Sequence, residues 1–226
     1  MAHMRRTHLA VFTTLALALG LPASAPATLA EVGVIGATSP ATVASCPGTP
    51  CLAVSRTTGF QVKVGARNSP MTIPHSGALV AWTISLGKPN ATQIKFFNAN
   101  EGGPSEAGVA VLRPVVSKKL KLTYKLIAQS PMVKLEKWFG MTAEFPLETA
   151  LQTKKGDIVA LTVPTWAPAL ALGFGNDTSW RASRQKAQCT STSAQTTHTI
   201  IGSGVQYFCL YQTARLTYSA TVISTP

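Results

Sequence analysis

The sequence predicts an all-β protein, an antiparallel β-sandwich of the jelly-roll type. About ten or eleven short apolar segments alternate with Gly-, Pro- and Asn-rich turns, a spacing typical of such folds. No segment combines a helical period with capping residues, and the most helix-like stretch, 147–155, is short and stops at Gly156. Residues 145–163 predict a strand, a turn and a buried strand, and we take this segment as the centre of the fold.

The segment 145–163 predicts a β-hairpin whose second strand is central. Its turn is Lys154-Lys155-Gly156-Asp157, in which glycine supplies unusual backbone angles. The strand that follows, 157–163, is nearly apolar on both faces, which is typical of a buried strand. We expect Asp157 to hydrogen-bond its own turn. The hairpin is therefore interpreted as scaffold, and any function is expected in the loops.

The other strands follow from alternating apolar residues between turn signals. In chain order they are predicted over residues 59–65, 77–86, 92–97, 109–112, 120–126, 133–139, 205–210 and 214–223. The inward side chains of 77–86 are predicted to be Val80, Trp82, Ile84 and Leu86. Those of 120–126, the cleanest alternation, are predicted to be Leu120, Leu122, Tyr124 and Leu126. Residues 98–108 form the longest predicted loop.

The N-terminus has the three-part layout of a secretory signal. Arg5 and Arg6 precede an apolar run over 9–21, and small residues follow up to Ala30. We predict a signal peptide over 1–30, cleaved near 27–30, and an exported mature chain without integral membrane association. The alternative is a retained N-terminal anchor. The rest divides into an arm over 31–58 and a single β-sandwich domain over 59–226.

The charge is strongly positive. The chain has 20 Lys and Arg against 8 Asp and Glu, so loss of Arg5 and Arg6 leaves 18 − 8 = +10. This excess favours anionic partners, such as a cell-wall glycan or another anionic polymer. Nucleic acid is not expected. Solubility alone is the alternative explanation of the charge.

Four cysteines lie beyond the predicted signal, and an even count in an exported chain predicts disulfides. Of the three possible pairings we prefer Cys46–Cys51 and Cys189–Cys209. A zinc site needs two close Cys or His pairs, and only Cys46 and Cys51 form one. No metal or other cofactor is therefore predicted.

Catalytic residues are not predicted. Glu144 and Glu148 are the nearest pair of acids, but in an extended strand they lie about 13 Å apart, too far for a glycosidase pair. His75 and His198 have no acid near them in the sequence, and no nucleophile elbow, phosphate-binding loop or metal motif occurs. A carboxylate-dependent hydrolase that uses Glu144, Glu148 or the 98–108 loop remains an alternative.

Loop aromatics and nearby cations are the candidate ligand-binding residues. Trp166 and Trp180 lie in loop-like segments, where a tryptophan ring can stack on a sugar. Arg181, Arg184 and Lys186 follow Trp180 and make a basic-aromatic patch. The alternatives are tryptophans packed in the core and a solvated basic loop.

The order of strand motifs, with VAWTISL at 80–86, K-L-x-Y-x-L at 121–126 and KKGDIVAL at 154–161, resembles a group of poorly characterised secreted β-sandwich proteins of bacteria. The resemblance implies fold and location, and no function or site residue. The first functional prediction is a secreted, non-catalytic protein that binds a glycan or anionic polymer at the cell surface. A structural component of an envelope or matrix is a further alternative.

Overall fold

A computed structural model describes residues 27–34, 42–190 and 196–224. Within these ranges the chain forms fifteen strands, one α-helix and two single 3₁₀ turns. The strands are β1 (Leu29–Val32), β2 (Val54–Val64), β3 (Arg67–Asn68), β4 (Gly77–Ser85), β5 (Glu106–Pro114), β6 (Thr123–Gln129), β7 (Val133–Lys134), β8 (Thr142–Thr153), β9 (Ile158–Ala167), β10 (Leu170–Leu172), β11 (Ser179–Ala182), β12 (Gly204–Gln206), β13 (Cys209–Gln212), β14 (Ala214–Leu216) and β15 (Tyr218–Ser224). The helix is α1 (Ala91–Asn100), and the 3₁₀ turns are Glu136–Trp138 and Lys186–Gln188.

The described strands form three antiparallel sheets. The large sheet has the order β12-β6-β5-β9-β2-β11-β13, with β3 paired to β2 and β7 to β5, and it is curled into a half-barrel. The small sheet has the order β1-β15-β4-β8, and β10 pairs with β14. The predicted all-β, antiparallel class is confirmed.

One hydrophobic core takes residues from both the large and the small sheet. The small sheet contributes Trp82 and Ile84 of β4 and Tyr218 of β15, each at most 1% exposed. The Tyr218 hydroxyl donates to the carbonyl oxygen of Val159 in β9, 2.9 Å away. Apolar burial and a hydrogen bond therefore both fix the small sheet against the middle of the large sheet.

The strand β9 is central, as predicted. It pairs with β5 on one side and β2 on the other, and its first six residues are all buried. The predicted hairpin is wrong, however, because β8 pairs with β4 in the small sheet and not with β9. The burial pattern gives the reason, since β8 keeps many residues exposed whereas β9 is buried on both faces. The connection 154–157 therefore crosses from one sheet to the other as an arch.

The arch has the predicted local chemistry. Gly156 adopts φ +88°, a left-handed conformation that glycine tolerates best. Asp157 Oδ2 accepts a hydrogen bond from the backbone N–H of Lys154 at 2.8 Å, which confirms that this carboxylate bonds to its own turn.

The strand predicted over 92–97 is wrong, because these residues lie in helix α1. Asn90 Oδ1 accepts from the backbone N–H of Gln93, and Gln93 Oε1 accepts from the backbone N–H of Asn90, both at 2.9 Å. This reciprocal pair is a capping box, which satisfies two N–H groups that a helix start leaves without partners. The helix also shortens the predicted 98–108 loop, since it extends to Asn100 and β5 begins at Glu106.

Two predicted inward faces are partly wrong. In β4 a bulge lies between Leu79 and Ala81, so Leu79 is fully buried and Val80 only half-buried. In the segment 120–126, the strand begins only at Thr123, because the chain turns at Leu122 with φ +57°. Leu120 is consequently 51% exposed.

Other elements differ in length from the prediction, and β2 and β5 are longer than the predicted strands 59–65 and 109–112. The 133–139 segment has only two strand residues, in β7, before the 3₁₀ turn Glu136–Trp138. The stretch 147–155, the most helix-like of the sequence, belongs mainly to β8. The two predicted closing strands are divided into four, β12 to β15.

The described N-terminal residues belong to the small sheet. β1 pairs with β15, with Leu29 opposite Ile223 and Val32 opposite Ala220. Most of the predicted signal, residues 1–26, lies outside the described residues, so that prediction stays a prediction. No helix in the described part of the chain is long and apolar enough to cross a membrane.

Candidate functional site

Trp166 lies in the core, because β9 continues to Ala167 where a loop was expected. It is 0% exposed, and its ring stacks on Phe97 of α1 with centroids 4.8 Å apart. Its Nε1–H donates to Asn98 Oδ1 at 2.8 Å and to the carbonyl oxygen of Gly103 at 3.0 Å. Trp166 therefore anchors the helix and has no exposed face on which a sugar can stack.

Trp180 is 7% exposed and packs on a second aromatic ring. Its ring lies 4.7 Å from that of Tyr211 on the neighbouring strand β13. Arg184 donates from Nη1 to the Tyr211 hydroxyl at 2.9 Å, and its guanidinium lies 5.8 Å from the centre of that ring. Trp180, Tyr211 and Arg184 line a cleft of about 320 Å³ beside Cys189, and no acid is among its lining residues.

Arg181 and Lys186 do not join this cleft. Arg181 follows Trp180 on β11, so the two side chains point to opposite faces of the sheet. Arg181 Nη1 donates to the carbonyl oxygens of Tyr207 and Phe208, and burial lowers its pKa. Lys186 is exposed, with Nζ 5.9 Å from the Phe208 ring. The five predicted binding residues therefore do not form one site. Only Trp180 and Arg184 line the cleft.

His198 is buried at 2% exposure and is tied to a turn. Its Nε2 lies 3.2 Å from the carbonyl oxygen of Ser203, which can only accept, and 3.0 Å from Ser203 Oγ. Ser203 Oγ in turn donates to the carbonyl oxygen of Ile200 at 2.7 Å. Nε2 therefore carries the ring proton, and Nδ1 accepts from the Tyr207 hydroxyl 3.0 Å away.

This arrangement makes the histidine structural. A general base needs a lone pair aimed at the nucleophile, and Nε2 presents a proton to Ser203 instead. Burial also lowers the pKa of His198, which favours its neutral form. His75, the other candidate histidine, is exposed in a turn.

Glu144 does not line the groove that Glu148 lines. Glu144 and Glu148 are both exposed on β8. Glu148 lines a mainly apolar groove of about 490 Å³ with Trp82 and Phe145, and no other carboxylate lines that groove. Glu101, in the predicted loop, pairs with Arg56 at 3.2 Å. Among the described residues no group of three or more His, Cys, Asp or Glu is placed to hold a metal ion.

Both predicted disulfides are present, Cys46–Cys51 and Cys189–Cys209, and no cysteine is free. The second closes the segment that follows β11 onto the start of β13. Two disulfides and no free thiol are typical of a protein of an oxidising, extracellular compartment.

A feature that the sequence analysis missed is an ion pair beneath the arch. Arg113, near the end of β5, donates from Nε and Nη2 to the two carboxylate oxygens of Asp157, each at 2.8 Å. Asp157 is 1% exposed, whereas the Arg113 side chain is 37% exposed. The pairing raises the pKa of Arg113. No motif signals this pair, because it depends on β5 and β9 being neighbours.

Lysines concentrate at the same end of the molecule. Leu112 of β5 is paired with both Leu126 of β6 and Ile158 of β9, so the connections 115–122 and 154–157 leave the large sheet at one end. We call this end the arch end. Its exposed lysines are Lys118, Lys119, Lys121, Lys125, Lys154 and Lys155. Residues 113–125 contain no acid, and the acid of the arch, Asp157, is buried under Arg113.

No known protein-family model matches the chain, and no curated protein sequence matches it significantly.

The physical chemistry of the arch end is therefore the most informative guide to function. Five exposed ammonium groups on two adjoining connections, with Lys125 of β6 beside them, produce a local positive potential that no exposed carboxylate of those connections reduces. Such a surface attracts anions at long range and favours partners that carry repeated negative charge. Trp166 and Trp180, by contrast, are at most 7% exposed and pack against other aromatic rings.

Proposed function

We propose that the chain is a secreted, non-catalytic protein that binds an anionic polymer, such as an acidic cell-wall glycan, at the cell surface. The observation that carries this proposal is the lysine-rich arch end, defined by Lys118, Lys119, Lys121, Lys125, Lys154 and Lys155. The predicted signal and the two disulfides support a location outside the cytoplasm. The shared core of the large and small sheets supports a jelly-roll-like sandwich as the scaffold.

The binding mode follows from the geometry of the arch end. Lysine ammonium groups on flexible stems are strongly hydrated point charges, so they suit a hydrated polymer of variable spacing. Because the charges are exposed, the attraction is screened by salt over about 10 Å at 0.1 M ionic strength. Weak, salt-sensitive binding that depends on the number of charges is the expected behaviour.

A direct test is titration of the protein with dextran sulfate, with neutral dextran as the uncharged probe, by isothermal calorimetry at two salt concentrations. The wild type is expected to bind dextran sulfate only, and more weakly at high salt. The triple variant Lys118→Glu, Lys119→Glu, Lys121→Glu is expected to lose about tenfold or more in affinity, which corresponds to about 1.4 kcal/mol.

The matched control makes the same change of charge at the other end. The three control lysines are exposed and lie near α1 and the Glu136–Trp138 turn, at the end of β4 and β8 that is farther from the arch. They are Lys88, Lys95 and Lys137. The triple variant Lys88→Glu, Lys95→Glu, Lys137→Glu is expected to lose less than about threefold. Equal losses in the two triples contradict a site at the arch end, and no binding of dextran sulfate at low salt contradicts the proposed function.

A further inference from the structure

A pocket of about 400 Å³ opens at the arch end, between the start of β4 and the ends of β5 and β8. Its lining residues are Ser76, Gly77, Arg113, Ile127, Gln152, Thr153 and Lys154. We propose that this pocket binds a tetrahedral oxyanion, a phosphate or sulfate group, carried on a sugar-sized unit. As a subsite for an anionic polymer, it rests on the function proposed above.

Arg113 supplies an oriented guanidinium. Its Nε and Nη2 are held by the buried Asp157 at 2.8 Å each, so the plane of the group is fixed. The third nitrogen, Nη1, has two N–H donors. Neither of them donates to a residue that the structure describes. A guanidinium held on one edge and open on the other is suited to an oxyanion, because its planar fork matches two oxygens.

Thr153 supplies a polar group that lacks a partner. It is 4% exposed and lines the pocket, and its Oγ1 is buried without a hydrogen-bond partner among the residues that the structure describes. Buried hydroxyls without partners are rare. A hydroxyl that loses its hydrogen bonds to water on folding, and gains none in the protein, destabilises the folded chain. Because Oγ1 has almost no accessible surface, the Thr153 side chain has to rotate toward the pocket before an oxyanion oxygen provides the missing acceptor.

The surroundings add positive charge and keep the pocket walls in place. Lys154 lines the pocket, and the backbone N–H of Lys155 donates to Ser76 Oγ at 3.1 Å, which fixes the arch beside the start of β4. Lys125 is paired directly opposite Arg113, on the same face of the sheet. No carboxylate lines the pocket, and Asp157 lies behind the guanidinium at 1% exposure.

The size of the pocket indicates the ligand class. Pockets for small molecules are typically about 300–1,000 Å³, so 400 Å³ accommodates more than a bare inorganic ion. The two cations and the hydroxyl select a tetrahedral oxyanion, and the remaining space accepts the sugar that carries it. A phosphorylated or sulfated glycan therefore combines both requirements, with the exposed lysines binding its neighbouring charges.

The test compares small and polymeric probes on the full-length chain. Sodium phosphate, sodium sulfate and dextran sulfate are titrated into the wild type and into Thr153→Val, Lys154→Ala and the control Thr83→Val. Thr83 lies on β4 outside the pocket. We expect Thr153→Val to weaken phosphate binding about tenfold, Lys154→Ala about threefold, and Thr83→Val not at all.

The variants are chosen so that folding does not confuse the result. The Thr153 hydroxyl has no partner among the described residues, so Thr153→Val keeps its side-chain shape without breaking a hydrogen bond, and the thermal midpoint is expected not to fall. The wild-type midpoint is expected to rise with phosphate concentration, and that of Thr153→Val to rise less.

The outcomes separate the two proposals. If dextran sulfate binds but Thr153→Val and Lys154→Ala bind all three probes as the wild type does, the pocket assignment is overturned and the polymer function stands. If phosphate binds in a Thr153-dependent manner but dextran sulfate does not, the pocket is an oxyanion site and the polymer function is overturned. If no probe binds, both are overturned.

Discussion

His198 shows how burial selects one protonation state of a side chain. In the neutral ring, Nε2–H donates to Ser203 and Nδ1 accepts from the Tyr207 hydroxyl. Both ring nitrogens therefore have a partner of the right kind. Protonation of Nδ1 places a donor against the Tyr207 hydroxyl, which then has to turn its own proton elsewhere. The folded chain therefore resists protonation of His198, and burial lowers the pKa.

We expect the folded state to lose stability as the pH falls below about 6.5, the usual pKa of histidine in an unfolded chain. The sign follows from the lowered folded pKa: below pH 6.5 the unfolded state binds a proton that the folded state does not, so the proton favours unfolding. Urea unfolding between pH 7.5 and 5 measures the effect.

The comparison that isolates this residue is His198→Gln, which keeps a donor toward Ser203 but does not titrate. Its unfolding free energy is expected to be lower than that of the wild type at pH 7.5, and the difference is expected to shrink as the pH falls. His75→Gln, at an exposed position, is the control and is expected to follow the wild type. A difference that stays constant with pH for His198→Gln contradicts the assigned protonation state.

Residues whose role is local were predictable, and residues whose role depends on a distant strand were not. Gly156 and Asp157 behave as the turn sequence indicates, with φ +88° and a carboxylate that accepts from Lys154. Arg113 is 44 positions from Asp157, and its role appears only when β5 and β9 are adjacent. Trp166 was predicted in a loop because the segment that it begins, 166–174, is interrupted by Pro and Gly, although the strand accommodates Pro164 and continues to Ala167.

At the scale of elements, the sequence of helix α1 contains a capping signal but lacks the apolar period by which a helix is usually predicted. The sequence of α1 has no clear apolar stripe, and only Phe97 is buried. Hydrophobic periodicity therefore gives little indication of a helix. The capping pair Asn90 and Gln93 does indicate one, since Asn, Asp, Ser or Thr followed three residues later by Gln or Glu marks a helix start.

Loss of this cap is expected to destabilise the protein slightly. Asn90→Ala removes the acceptor for the Gln93 N–H, and we expect a loss of about 1 kcal/mol in the unfolding free energy. Denaturant unfolding measures it. Thr92→Ala, an exposed change in the first turn, serves as the control, and an equal loss in both variants contradicts a specific capping role.

The connection between β8 and β9 shows why element order was easier to predict than element pairing. The two strands and the intervening turn lie close to their predicted positions. A four-residue connection is compatible with a hairpin or with an arch between sheets, and the local sequence does not distinguish them. The choice is made by tertiary burial, since β4 covers one side of β8 while β5 and β2 flank β9.

At the scale of the whole molecule, the disulfides constrain loops of different length. Cys46–Cys51 spans 5 positions and Cys189–Cys209 spans 20. A disulfide that closes a longer loop removes more entropy from the unfolded chain. The pairing itself was predictable from spacing, because neither bond requires knowledge of the sheets.

We expect the paired change Cys189→Ala, Cys209→Ala to cost about 3 kcal/mol of unfolding free energy, and Cys46→Ala, Cys51→Ala about 2 kcal/mol. Guanidinium unfolding of both variants beside the oxidised wild type measures the order. A larger loss for the shorter loop contradicts an origin in loop entropy, and the reduced wild type, which has lost both bonds, provides a check on the sum of the two values.

The arrangement of the small sheet has a consequence for how the chain is made. β15 lies between β1 and β4, so a strand from near the last described residues separates two strands from the first half of the chain. A ribosome delivers the chain from its N-terminus, and β1 and β4 have no partner in common until Tyr218–Ser224 has emerged. Contacts between such distant segments form slowly. Vectorial synthesis thus leaves β1 without a partner, and β4 paired with β8 alone, until the final strand arrives.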